Sequence, residues 1–410
     1  MEKTKAAITR KLLNPFKGDK AIWFIFLMLA IISLVSVFSS IGYSAVSSST
    51  TPERAFVKHL VFVLVTFVAV IILSNFDYRK FSRLSWFGYL LSIALLVAVL
   101  AVGGKNEEIE AGSGMSRWIY IPLIGRFQPS ELAKILTIIY LARRLTQEKE
   151  NLKEKNIFRN IVLSVLLIVG LIVKDNLSTA LIIFIVCFAM IRLAPINPRH
   201  WRNTLIILVA VGLLAIFLGN KLNIPFLARS ETWTSRIDKW LNFDEDDLSQ
   251  ESMARMAVAS GKFFGVGVGS TIQARLMTQA NNDMIYAIIM EETGMLGGTI
   301  VFILYLLLYI RCIRIAWRCK GDFGRMTVVG LGTLIFLQAA IHMSVSVGAL
   351  PVTGQTLPFI SSGGSSYLCM GLALGVIQSV AYSVNQRERA TANNARNSDN
   401  ETNTEETATK

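Results

Sequence analysis

The chain has few groups that bind metal or titrate near neutrality. Its 410 residues include three histidines and four cysteines. His59, His200 and His342 are scattered, and no Cys/His cluster has the spacing of a zinc site. Cys187, Cys312, Cys319 and Cys369 fall in apolar runs or at their basic ends, so no disulfide framework is expected. Charge is scarce too. Charged residues make up 17%, against about 25% in ordinary soluble domains. With 53% hydrophobic residues and a mean hydropathy of +0.50, soluble globular and disordered classes are excluded. What remains is a polytopic membrane protein.

Ten apolar segments can be drawn, at roughly 21–42, 56–74, 84–102, 129–145, 158–173, 177–193, 204–220, 284–310, 326–347 and 365–384. The expected fold is therefore all-α, with about ten transmembrane helices. The first is read as an uncleaved anchor, because its apolar run exceeds that of a signal peptide. The net charge of +13 is concentrated in alternate connections, which puts both ends of the chain inside. Basic excess of this kind points to cytoplasmic loops, and no nucleic-acid partner is expected. The domains read as a basic cytoplasmic N-terminus, 1–20, and a transmembrane domain, 21–385. They end in a polar tail, 386–410, expected to be disordered and cytoplasmic. The largest connection, 221–283, is expected outside, between helices 7 and 8.

Polar residues near spans carry the functional signal, because a charge in a bilayer is costly. Gln128-Pro129-Ser130-Glu131 starts a helix, and Glu131 and Lys134 lie on one face of it, able to pair. The pair is either a structural ion pair or the floor of an anionic substrate site. Asp175 or Asn176 can cap the next helix. Residues 248–262 form an amphipathic pattern expected to lie along the membrane surface. The glycines between Gly261 and Gly269 are not a nucleotide loop, because no P-loop lysine and hydroxyl follow them. A re-entrant or tight loop packed on substrate or another helix fits better. Asp283 is expected to open a helix running to Ile310, about 42 Å long, with its carboxylate at the outer surface. Such a carboxylate can serve as a general base. Glu291 and Glu292 lie deeper and read as structural. Leu350 to Ser366 is dense in Pro, Gly and Ser, and Ser361 and Ser365 can offer donors to a phosphate at a helix start.

At these motifs the chain resembles the SEDS family (shape, elongation, division and sporulation) of bacterial membrane glycosyltransferases, from about Asp19 to Gln386. The matching stretches include Arg117-Trp118, Gln128 to Lys134, Asp175 to Ala180, the Gly-rich run, Asp283 with Glu291-Glu292, and Leu350 to Ser366. The resemblance implies that lipid II, an undecaprenyl-pyrophosphate-linked disaccharide peptide, is polymerised into β-1,4 glycan strands. The reaction would take place at the outer face of the cytoplasmic membrane. It also implies that Asp283 is the family's essential aspartate, Glu131 and Lys134 its polar pair, and Arg117 a cavity cation. Lys262 and Arg275 are added as pyrophosphate contacts from charge and position alone. The implied partners are a class B penicillin-binding transpeptidase and other division proteins. The basic N-terminal extension and polar tail favour the division branch, at the septum, over the elongation branch. The chain departs from the family at Thr278-Gln279-Ala280-Asn281-Asn282 and at Ser362, which bears on the shape of the acceptor site. The sequence assigns no certain cofactor, and a divalent cation could share the leaving-group role, although no cage for one is written in the sequence. A lipid flippase or transporter is the rival reading, with a scaffold lacking activity as a third.

Overall fold

The computed structural model describes residues 16–44, 51–102, 118–121, 125–173, 176–207, 230–241, 250–273 and 280–408. The expected seventh span, 204–220, lies mainly outside them, and Arg117, Asp175 and Arg275 lie wholly outside them. Among the described residues, seven helices are long and apolar enough to cross a membrane. They are α1 (Lys20–Ser44), α2 (Pro52–Asn75), α3 (Tyr78–Val102), α5 (Lys155–Val173), α10 (Ile285–Arg318), α11 (Asp322–Ser346) and α12 (Gly364–Ala408). Two more join the bundle: α4 (Pro129–Gln147), which carries buried charge, and α6 (Leu177–Leu193), which is apolar but short. Among the described residues of the large connection, three helices precede α10: α7 (Ser230–Leu241), α8 (Gln250–Gly261) and the single turn α9 (Ala280–Asp283). Ahead of α4 stands one feature the sequence reading lacks, an antiparallel hairpin of β1 (Ile119–Ile121) and β2 (Gly125–Phe127), with Tyr120 opposite Arg126.

Local chemistry sets the helix ends. Asp19 Oδ1 accepts the Ala21 and Ile22 N–H groups at 2.8 and 3.2 Å, capping α1. Asn176 Oδ1 accepts Thr179 N–H at 3.1 Å, so the cap expected near Asp175 is made by the asparagine. Proline opens α2 and α4, where its missing N–H costs nothing.

The centre of the bundle is α12, with α11 and α4 beside it; α2 and α3 turn broad apolar faces outward. Val57, Val61, Leu64, Val68 and Ile72 of α2 are exposed, as a lipid-facing stripe requires. On its other side α2 packs on α12. Gly371 lets the backbones close, because a Cβ there would collide with the Thr66 methyl group. The two ends of the bundle differ chemically. One gathers Lys20, Arg79, Arg143, Arg311, Arg318 and Arg325; it is called the basic end here. There Asn385 Nδ2 donates to Gly18 O at 3.0 Å, and Gln378 bonds both the N–H and C=O of Asp19. The opposite end holds Asp283 and the connection 347–363.

Two elements differ from the sequence reading. The helix 250–261 does not lie apart on a membrane surface. It buries Met253, Ala254 and Ala257 against Met284, Ala287 and Ile288, because small residues on that face allow close packing. The helix of α12 also runs past Gln386 to Ala408, through the segment expected to be disordered. Ala and Arg are strong helix formers there, and Arg318 Nε holds Glu388 Oε1 at 2.7 Å.

Candidate active site

The connection 347–363 between α11 and α12 organises the end of the bundle that carries Asp283. It is tied by hydrogen bonds to α1, α6, α7, α8 and α10. Ser33 of α1 donates to Ile360 O at 2.7 Å, and Tyr305 of α10 donates to Pro358 O. Gln355 Nε2 donates to Thr179 Oγ1 of α6 at 2.9 Å. Trp240 Nε1 of α7 donates to Gly348 O at 2.9 Å, and Arg255 of α8 lies against the same carbonyl. Phe359 is buried with a φ of 63°, a left-handed conformation rare for a large side chain and held by this packing.

Beneath the connection lies a buried polar network. Lys134 is fully buried, and its Nζ donates to Glu131 Oε1 at 2.8 Å and Gln338 Oε1 at 2.7 Å. Glu131 Oε2 accepts from Ser366 Oγ at 2.9 Å, and Ser366 pairs with Thr356 Oγ1 at 2.6 Å. Gln338 Nε2 returns to Thr356 O at 2.9 Å. The chain of bonds joins α4, α11, the connection and the start of α12. A buried ammonium with a carboxylate and an amide as acceptors is satisfied in place. Glu131 and Lys134 thus hold this end of the bundle together from below.

Asp283 sits above that network, half-buried, at the last residue of α9. It does not open the long helix. Met284, with φ −129° and ψ 20°, breaks the chain, and α10 begins at Ile285. The segment is fixed through its neighbour: Ser361 Oγ donates to Asn282 O at 2.8 Å and Ser362 Oγ to Asn282 Oδ1 at 2.6 Å. Ser361 Oγ also accepts Leu357 N–H at 2.7 Å. Gly354, with a φ of 61°, faces the carboxylate; a Cβ there would lie 3.7 Å from Asp283 Oδ2. Asp283 is therefore held, half-buried, on a rigid ledge.

The long helix from 283 to 310 is broken a second time. Gly294 has φ 70° and ψ −169°, and the helix divides there. The Gly-rich loop after α8 fills the gap. Met295 N–H donates to Lys262 O at 2.9 Å and Leu296 N–H to Phe263 O at 3.3 Å. In return, Val266 and Gly267 N–H groups donate to Glu291 O and Glu292 O at 2.9 and 3.0 Å. Both carboxylates follow suit: Glu292 Oε1 accepts Gly269 N–H at 3.0 Å and the Ser39 hydroxyl, and Glu291 Oε1 accepts Ile272 N–H at 3.0 Å. The N–H groups of Met295 and Leu296 and the carbonyls of Glu291 and Glu292, freed at the break, thus find substitutes in the loop, as a membrane setting demands. From Gly294 to Arg311 is about 26 Å of helix, close to the ~30 Å hydrocarbon core. The break therefore sits at the membrane boundary away from the basic end. A Cβ on Gly294 would lie 2.5 Å from Gly265 N. Gly294→Val is expected to cost at least about 1–3 kcal/mol from backbone conformation alone. Its thermal unfolding in detergent should fall well below that of wild type; an unchanged midpoint would show that the break is not needed.

Of the residues singled out from the sequence, the structure brings Glu131, Lys134, Ser361 and the Asp283 segment onto one platform. Ser361 and Ser365 are both buried, the first with its hydroxyl already engaged. Lys262 is exposed in the Gly-rich loop, where its carbonyl accepts the Met295 N–H beyond the break at Gly294. The reading passed over Gln338, His342, Gln355 and Thr356. Gln338 and His342 had a signal: two polar residues four apart on one face of an apolar helix. His342 Nδ1 meets Gln355 O at 2.7 Å. Among the described residues no three His, Cys, Asp or Glu side chains gather as a metal site.

Comparison with known proteins decides the family. The model of the FtsW, RodA and SpoVE cell cycle proteins matches residues 19–386. The chain belongs to that family. It is 31% identical over 390 residues to stage V sporulation protein E of Bacillus subtilis, covering 91% of this chain and 99% of that one. It is likewise 31% identical to the probable peptidoglycan glycosyltransferase FtsW of Coxiella burnetii, over 87% of this chain and 92% of that one. Among solved structures, a chain of a peptidoglycan synthase complex superposes with a TM-score of 0.69 at 22% identity, over 90% of this chain and 98% of that one. The rod shape determining protein RodA of Thermus thermophilus gives 0.63, also at 22%, over 89% of this chain and 96% of that one. The fold of the family member described here is thus the RodA-like polytopic membrane fold.

Proposed function

We propose that this protein is a peptidoglycan glycosyltransferase that polymerises lipid II into β-1,4 glycan strands at the outer face of the cytoplasmic membrane. One observation carries the reading: similarity over 87% of the chain to a relative named for that activity coincides with a carboxylate, Asp283, held half-buried on a rigid ledge. Asp283 removes the proton from the acceptor sugar's 4-hydroxyl. The freed oxygen attacks the anomeric carbon of the donor, the bond to the pyrophosphate breaks, and undecaprenyl pyrophosphate leaves with its electron pair. Displacement of an α-linked leaving group by one attack gives the β link, so one base suffices. Cations stabilise the departing charge; Arg117 and Arg275 remain the candidates for direct contact. Lys134 contributes from below by fixing the ledge.

A class B penicillin-binding transpeptidase that crosslinks the strands fits as the partner, and the division septum fits as the place of action. The synthase complex among the structural neighbours is described as coordinating polymerisation with crosslinking. The test is polymerisation of labelled lipid II by purified protein, with and without a transpeptidase. Glycan strands support the reading. Movement of lipid II across liposomes without strand formation would instead make the protein a flippase.

A further inference from the structure

The basic end carries a site that strand synthesis does not use. A cavity of about 650 Å³ opens there between the start of α1, the end of α10 and α12. Five charged side chains line it: Asp19, Lys20, Arg311, Glu388 and Arg389. The two acids are already engaged. Asp19 Oδ1 caps α1 through the Ala21 and Ile22 N–H groups, and Glu388 is held by Arg318 through both carboxylate oxygens. Lys20, Arg311 and Arg389 make no ion pair among the described residues. Among the described residues the cavity thus gathers three cations that make no ion pair against one carboxylate, Asp19, that also makes none, with Asn385 beside them.

The helices below it tell what shape of anion fits. Lys20 ends a stripe on α1 that continues as Phe24, Leu27 and Ile31, all exposed. Arg311 ends a matching stripe on α10, through Leu307, Ile303 and Ile300, also exposed. The two helices pack against each other. Cationic head groups thus cap apolar tracks of about 17 Å on two neighbouring helices, close to the depth of one ~15 Å leaflet. A free phosphate would use the cations and ignore the tracks. An anionic phospholipid uses both.

We propose that this cavity binds the phosphate headgroup of an anionic phospholipid, with the acyl chains lying along α1 and α10. Basic pockets between spans are suited to this, since each cation near the surface strengthens attraction to anionic lipid. The site is distant from Asp283, at the other end of the bundle, and is independent of the proposed reaction.

The test is native mass spectrometry of the purified full-length protein titrated with phosphatidylglycerol or phosphatidylcholine of the same chain length. The wild type should bind phosphatidylglycerol the more tightly. The variant Lys20→Gln/Arg311→Gln/Arg389→Gln should weaken that binding by about a hundredfold, at about fivefold per cation, and leave phosphatidylcholine unchanged. The control Arg79→Gln/Lys80→Gln/Arg83→Gln removes three exposed cations from the same end outside the cavity, and should lose no more than a few fold. Should the triple variant misfold, Arg389→Gln alone, on an exposed turn, should still lose about fivefold. Equal losses in cavity and control variants would replace the site with diffuse surface charge. Displacement of the lipid by millimolar inorganic phosphate would make the occupant a free anion. No preference over phosphatidylcholine would remove the site altogether.

Discussion

Asp283→Asn is expected to abolish strand formation while leaving the fold intact. A positioned general base contributes about 10²–10⁴-fold to rate, so polymerisation of labelled lipid II should fall by that factor. The amide preserves the shape of the carboxylate beside Gly354. The bonds between this segment and the connection run through Asn282, Ser361 and Ser362, so the ledge should survive. The comparison needs two readouts on one preparation: strand length by gel and thermal unfolding of the detergent-solubilised protein. Loss of strands at an unchanged midpoint identifies the base. Retained activity would keep the polymerase and discard Asp283 as its base.

The second large effect is one of stability. Lys134→Met should destabilise the protein by about 3–5 kcal/mol, the usual cost of leaving one partner of a buried ion pair uncompensated. Glu131 would keep only the Ser366 hydroxyl as a donor, and Gln338 Oε1 would lose its ammonium. Removing both charges, as Glu131→Leu/Lys134→Met, should recover much of the loss, because an apolar pair of similar volume carries no stranded charge. Strand formation should remain impaired in the double variant, since Ser366 and Thr356 lose their anchor at the foot of the ledge. Equal destabilisation in single and double variants would show that the network, rather than the charge balance, supplies the stability.

What the sequence reveals here is whatever depends on near neighbours. The Glu131–Lys134 pair is three residues apart on one helix, the Asn176 cap acts two turns from its source of suspicion at most, and proline marks the start of α4; all were legible. The structural role of Glu291 and Glu292 could also be argued, since a carboxylate at that depth must find donors. Their actual donors could not, because Gly269 and Ile272 are reached only after a loop folds back. The break at Gly294 has the same origin. Its glycine stands in plain view, but the hydrogen bonds that make a break tolerable come from residues 262–267. The platform beneath Asp283 is harder still. Lys134 meets Gln338 across 204 positions and Glu131 meets Ser366 across 235, distances over which no local pattern speaks. The hairpin 119–127 was missed for the opposite reason: strands of three residues are too short to show an alternation.

The helix at the centre of the bundle, α12, is translated after every other element that surrounds it. While α1 to α11 are being inserted, Thr66, Val70 and Leu73 of α2 have no glycine face to close upon, and Glu131 lacks Ser366. Biogenesis therefore passes through a stage in which a ring of spans exists with its axle missing. Its insertion completes the axle, the ledge under Asp283 and the clasp to Gly18 in one event, so the site can be assembled only after α12 is in place.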